Sequence, residues 1–289
     1  ASKWDTGELQ TMDSLLVGSS EVNDVRRRVR VRLLKELPTE SRRLIERLSL
    51  QVGGFNRDLA IDLGKVSPPI EASGIVLESL TGSWIDQHEN NRFSLSPLLS
   101  DFATTTLTSE EKEKLQSVIA DSLTKGSVFN TVDMNSALIA AWSSRNKKVI
   151  TKVCLSLLNA NNEELEFLAP HLVMITLFRT DTTAFPSDAY ISHMFRGAQL
   201  LLVNQEMNSP TNIENVIRSF SEESKNVQDN VMCSMTNLMV YSKLMLQNSK
   251  AKIGTNFTGI IEALDTLLED ENSILPNGTL SGLESCHKE

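Results

Sequence analysis

The stretch LPTESRRLIERLSLQVGGFNRDLAIDLGKV, residues 37–66, decides how the first third of the chain is read. Pro38 lacks a backbone N–H and cannot continue a helix, so it separates two helical patterns. After it, Thr39 is expected to cap a helix over Glu40 to Leu50, with Leu44, Ile45 and Leu48 at helical spacing. Gly53-Gly54 breaks the chain, and Asn56 is expected to cap a short helix reaching Lys65, with Leu59, Ile61 and Leu63 inside it.

Upstream, Val22, Val25, Val29, Leu33 and Leu37 recur every three or four residues and predict a helix from Glu21 that ends at Pro38. Downstream, Pro68-Pro69 makes a turn, and Glu71 to Leu80 reads as a further helix with Gly82 placed to stop it. Trp84-Ile85-Asp86, a polar turn over Gln87 to Asn91, and Arg92 to Leu95 predict a β-hairpin. Helices followed by a hairpin give the order of a winged-helix module, with another helix expected from Pro97 through Ala103.

From Thr108, an N-cap with Glu111 at the capping-box position, the pattern is helical to about residue 270. Helices are expected near 109–125, 132–144, 146–159, 162–179, 187–206, 211–223, 228–248 and 256–270, separated at Gly126, Asn159 to Asn161, Thr180 to Pro186, Ser209-Pro210 and Gly254. The expected fold class is mainly α: a winged-helix module with a small β-hairpin, then an α-helical array, solenoid-like with TPR/HEAT-like helical hairpins, a compact helical domain being the alternative. The predicted divisions are a lead-in at 1–19, the module at 20–107, the array at 108–270 and a polar tail at 271–289. No fixed repeat motif is legible.

A length of 289 residues fits two units, and 40% hydrophobic with 22% charged residues is an ordinary globular balance. Aromatics are only 5%, which favours helices over strands. The net charge of -9 argues against a chain whose main work is gripping phosphate backbones, since that affinity comes from cations. Three scattered cysteines, Cys154, Cys233 and Cys286, form no disulfide framework or metal pair, so a reducing, cytoplasmic setting is expected. No signal pattern or membrane-length apolar run occurs, so no membrane partner is expected. The chain opens on Ala1 rather than Met, and the expectation is that it is a piece of a longer protein.

The run at 37–66, followed by GIVLESLTGSWIDQHENNRFSLSPLLSDFA at 74–103, resembles the winged-helix region that follows the nucleotide-binding domain in STAND signalling ATPases of the NB-ARC and NACHT kind. Leu37-Pro38, Leu48-Ser49, Phe55-Asn56-Arg57 and Phe93 to Leu99 carry the resemblance, which covers residues 20–107. The resemblance implies a non-catalytic regulatory fragment: the module would couple nucleotide state to a helical array that binds a protein or small-molecule signal, and its first partner would be an upstream nucleotide-binding domain. The family's Met-His-Asp signature falls on Leu95-Ser96-Pro97, so its phosphate-contacting His is absent and Ser96 stands in its place as a cofactor-binding candidate. No GxxxxGK[ST] run exists, so no cofactor is expected in this fragment and ATP or ADP would belong to the full-length parent.

Arg26, Arg27, Arg28, Arg30, Arg32 and Lys35, joined by Arg42, Arg43 and Arg47, form the densest charged cluster. Arg28, Arg32, Lys35, Arg42 and Arg43 are the partner-binding candidates, for an acidic domain, a nucleotide phosphate or nucleic acid. A solvated helix face paired with Asp24, Glu36, Glu40 and Glu46 is the equal alternative. A DNA-binding regulator is the rival class, set against the two glutamates and absent cations of Glu71 to Leu80. A plain helical scaffold is the third. His88, His171, His193 and His287 lack metal-ligand spacing, Cys154 reads as a buried apolar residue, and Met232, Met235, Met239 and Met245 read as helix core or a plastic partner groove.

Overall fold

The computed structural model describes residues 32, 34–99, 106–125, 131–205, 211–246 and 259–266. The chain divides into two compact units, Ala1–Ser122 and Leu123–Glu289. It is mainly helical with a small three-stranded antiparallel sheet.

The described part of the first unit contains α1 (Thr39–Leu48), β1 (Phe55–Asn56), α2 (Arg57–Gly64), α3 (Ser73–Leu80), β2 (Ile85–His88), β3 (Arg92–Leu95) and α4 (Ser109–Leu123), the last reaching the unit boundary. Leu44, Ile45 and Leu48 of α1 have no solvent exposure, as the apolar spacing requires; α1 packs on α2 and α3, where Leu59, Leu63 and Leu77 are also buried. Asn56 caps α2, its side chain accepting from the Leu59 amide at 2.8 Å. β3 is the middle strand of the order β1-β3-β2, with Phe55 opposite Phe93 and Ile85 opposite Leu95. The Phe55 and Phe93 rings stack at 5.9 Å and tie the two-residue strand to the hairpin. The turn of the hairpin places Asn90 and Asn91 at φ 59 and 55, a left-handed conformation that Asn tolerates better than most residues. Thr108 and Glu111 form the reciprocal cap expected of them.

Several expectations are corrected. Thr39 is the first helical residue of α1 rather than its cap; Pro38 holds the cap position without a side-chain bond. The helix expected from Pro97 is a 3-10 turn over Pro97–Leu99, and its continuation lies outside the described residues. Of the helix expected from Glu21, Arg32, Leu34 and Lys35 are described and helical, and Leu37 is past its end.

The described part of the second unit contains α5 (Thr131–Ser143), α6 (Lys147–Asn159), α7 (Asn162–Leu168), α8 (Val173–Thr176), α9 (Ala189–Gln205), α10 (Ile213–Ser224) and α11 (Asn230–Leu246), with residues 259–266 also helical. The single helix expected over 162–179 is broken into α7, a 3-10 turn at Ala169–His171, and α8. Pro170, which has no N–H for the helical ladder, lies in the 3-10 turn, and Leu172 at φ -97, ψ 52 separates that turn from α8. Every residue of α9 from Ile191 to Asn204 is buried, and α6, α10 and α11 all pack on it. Met232, Met235 and Met245 of α11, expected as core, are each more than a third exposed, while Met239 is half-buried.

Candidate functional site

Among the residues singled out in the first unit, Arg28 lies outside the described residues, whereas Arg32 and Lys35 are exposed. Arg42 and Arg43 are half-buried beside Glu46 on α1, and Arg42 Nη2 donates to the Leu37 carbonyl at 3.4 Å. Arg47, grouped with them by sequence, turns inward and is 3% exposed. Its Nη1 donates to Leu63 O at 2.8 Å and its Nη2 to Pro68 O at 2.6 Å, sealing carbonyls at and beyond the end of α2. Burial, with Arg43 beside it, lowers the Arg47 pKa, while burial raises that of Glu46 against the pull of Arg42 and Arg43. The cluster is therefore partly spent on holding the fold.

The surface of α3 is of a different kind. Ile75 is 67% exposed, and Glu78 pairs with Arg57 at 2.7 Å; no residue from Ser73 to Leu80 is basic. Arg92, in the hairpin, donates through Nη2 to Gly54 O at 2.9 Å. Ser96 follows β3 half-buried, with its N–H on Trp84 O at 3.0 Å and its carbonyl accepting from Leu99 N at 2.8 Å, so its backbone closes the hairpin onto the next turn.

The most elaborate polar construction lies in the second unit, around the loop Leu177 to Asp188. Arg196 has no solvent exposure, yet donates Nε to Glu223 Oε1 at 3.0 Å, Nη1 to Gln199 Oε1 at 2.7 Å, and Nη2 to the carbonyls of Arg179 and Thr182. Gln199 passes a bond on to Phe178 O at 2.7 Å, Ser219 Oγ donates to Thr180 O, and Glu223 Oε1 also accepts from Ala184 N at 3.1 Å. A charged side chain survives burial when its charge and its donors are matched in this way. Three side chains, an Arg and a Gln on α9 and a Glu on α10, thus fix an irregular loop that otherwise has no ladder of its own.

Two cavities flank that loop. One, of about 210 Å³, is lined by Asp181, Thr182, Ser219, Glu222, Glu223 and Asn226. Asp181 is held by Arg179 at 2.6 Å, a hydrogen bond and charge that lower its pKa. The other, of about 430 Å³, is lined by Trp142, Arg145, Ala184, Phe185, Pro186 and Ser187. The Trp142 ring is braced by Phe178, Phe185 and Phe195 at centroid distances of 5.1, 5.5 and 4.9 Å.

His193, Cys233 and Asn237 also meet, with Cys233 Sγ 3.8 Å from His193 Nε2 and Asn237 Nδ2 3.9 Å from the sulfur. These are the residue types of a thiol hydrolase, but the electrostatics run the wrong way. Burial pushes the His193 imidazole down to about 4, against the pull of Asn237, and raises the Cys233 thiol, so neither member of a thiolate–imidazolium pair is favoured. His193 instead stacks on Phe220 at 4.3 Å as a core residue. Cys154 is fully buried, with burial pushing its thiol up to about 12. His88 is exposed and bonded to Ser94 Oγ at 2.7 Å, His171 is exposed, and His287 lies outside the described residues.

Sequence reasoning missed the Arg196 network and the Trp142 cavity because both depend on residues brought together from separate helices. Among the described residues no group of three His, Cys, Asp or Glu side chains is placed to hold a metal ion, and no helix is long and apolar enough to cross a membrane. No family model matches the chain, and neither a curated protein nor a solved structure matches it.

Proposed function

We propose that the chain is a non-catalytic regulatory piece of a STAND-type ATPase, in which the first unit is a winged-helix module resting on an upstream nucleotide-binding domain. The second unit, a helical array, would hold the protein or small-molecule signal. ATP or ADP would be bound by the parent, with Ser96 at the position nearest the phosphates, and the setting would be cytoplasmic.

The observation that carries this reading is the outward surface of α3. An exposed Ile75 and the Arg57–Glu78 pair suit a protein neighbour, because an apolar side chain gains from leaving water, whereas a phosphate backbone needs unpaired cations there. The order α1-β1-α2-α3-β2-β3 and the sheet order β1-β3-β2 support the module itself. Amide hydrogen exchange of the full-length parent, loaded with ADP or a non-hydrolysable ATP analogue, tests the reading. Protection over Ser73–Leu80 is expected to differ between the two states. Equal protection in both, or salt-sensitive binding of duplex DNA by residues 1–289 that Arg32→Glu abolishes, would overturn it.

A further inference from the structure

The geometry points to the cavity beside Trp142 as a binding site for a flat aromatic carboxylate, its ring laid on the Trp142 indole and its carboxylate on the Arg145 guanidinium. The first observation is the way α5 ends. The Asn146 amide donates to Ala141 O at 2.8 Å and the Arg145 amide to Trp142 O at 3.2 Å, the paired bonds of a helix terminus whose penultimate residue must be left-handed. Arg145 fills that position at φ 53, where glycine sits without strain and a side chain costs stability. A guanidinium has been placed there at a conformational cost, three residues from Trp142 and on the wall of the same cavity.

The second observation is charge. Arg145 is exposed and, among the described residues, has no carboxylate within ion-pair distance. Lys147 and Lys148 follow it; Asp188, next to the lining residue Ser187, is held by Lys147 at 2.8 Å. Among the residues that line the cavity, Arg145 is the charged one. The third is rigidity. Trp142 is held by three phenylalanines, and the opposite wall is fixed by Phe185 N donating to Ser192 Oγ and Ala184 N to Glu223 Oε1. A volume of about 430 Å³ is of the size of small-ligand sites and admits a bicyclic ring. Stacking on an aromatic face together with a forked guanidinium selects for planarity and for an anionic, bidentate acceptor.

This gives the proposed signal-holding role of the second unit a chemical class; its failure leaves the reading of the first unit untouched, since nucleotide-dependent exchange reads that one out separately. The probes are 2-naphthoate, the neutral 2-naphthamide and the non-planar cyclohexanecarboxylate, titrated into the whole chain while the indole N–H signals are followed by NMR, with Trp142 assigned from Trp142→Phe. Naphthoate is expected to shift the Trp142 signal and to bind at least about tenfold more tightly than either control, the range a charge-assisted bidentate contact gives. Arg145→Gly is expected to melt at a higher temperature and yet lose that preference, with Arg145→Lys keeping part of it. A peptide ending in a free-carboxylate Phe, compared with its amidated form, separates a protein C-terminus from a small acid as the source. Equal binding of naphthoate and naphthamide, an unmoved Trp142 signal at millimolar naphthoate, or undiminished binding by Arg145→Gly overturns the proposal.

Discussion

Arg196 and Glu223 meet Nε to Oε1 at 3.0 Å with side chains 0% and 8% exposed, joining α9 to α10 through a buried charge pair. Breaking such a pair from one side strands the other charge, and here it also releases the loop carbonyls of Arg179 and Thr182. Glu223→Gln is expected to cost about 3–5 kcal/mol in urea unfolding, and Arg196→Met is expected to speed amide exchange across 178–184 as well. Wild-type stability for Glu223→Gln would show that the pair does not hold the loop.

The pH dependence of the second unit follows from His193. Its imidazole is pushed down by burial from 6.5 to about 4, so the unfolded chain takes up the proton first as the solution is acidified. The stability contributed by neutral His193 is complete above about pH 6.5 and is lost progressively toward about pH 4, a loss of about 3 kcal/mol. Urea midpoints measured across that window should fall for the wild type and fall less for His193→Gln. Parallel curves would remove His193 as the cause.

Gly197 sets two effects of opposite sign against each other. Alanine in mid-helix gains about 1 kcal/mol of helix propensity. A Cβ there, however, would stand 2.8 Å from Val240 Cγ2 and 3.3 Å from the Phe220 ring, contacts that force α11 or Phe220 to shift. Overpacking at a buried site costs about 1–3 kcal/mol, so Gly197→Ala is expected to be net destabilising by thermal melting. A raised melting temperature would show that α9 and α11 yield easily.

In the first unit, Arg47→Met keeps the length of the side chain but removes the donors to Leu63 O and Pro68 O. Leaving buried carbonyls unpaired costs about 1–3 kcal/mol each before any water enters. The variant is expected to lose about 2–4 kcal/mol, read as a lower urea midpoint, and to loosen Pro68 to Ile70 in hydrogen exchange. An unchanged midpoint would place the arginine among surface cations after all.

Legibility in the sequence followed the range of the interaction. The Asn56 cap, the Thr108–Glu111 box and the hairpin over 85–95 act within a few residues, and each is written in local residue types. β1 was not legible, because two residues cannot show alternation and its partner lies 38 positions away. Arg47 reads as one of a charged cluster and Arg196 leaves no local signal, since only the carbonyls of distant segments reveal that they point inward. The exposure of Met232, Met235 and Met245 escaped for a different reason: α11 is apolar on most of its circumference, which leaves the phase of its buried stripe undetermined. The Trp142 cavity left one local trace, a helix ending at Ser144-Arg145-Asn146 without the usual glycine.

Burial of α9 on every side bears on how the second unit can be divided. In a stack of self-similar pairs, trimming a pair exposes only one face and the remainder stands. Here a single rod is the common floor beneath its neighbours, so excising any one of them opens that rod to water along its length. Shortened versions have no natural stopping point, and the second unit is expected to melt as a whole.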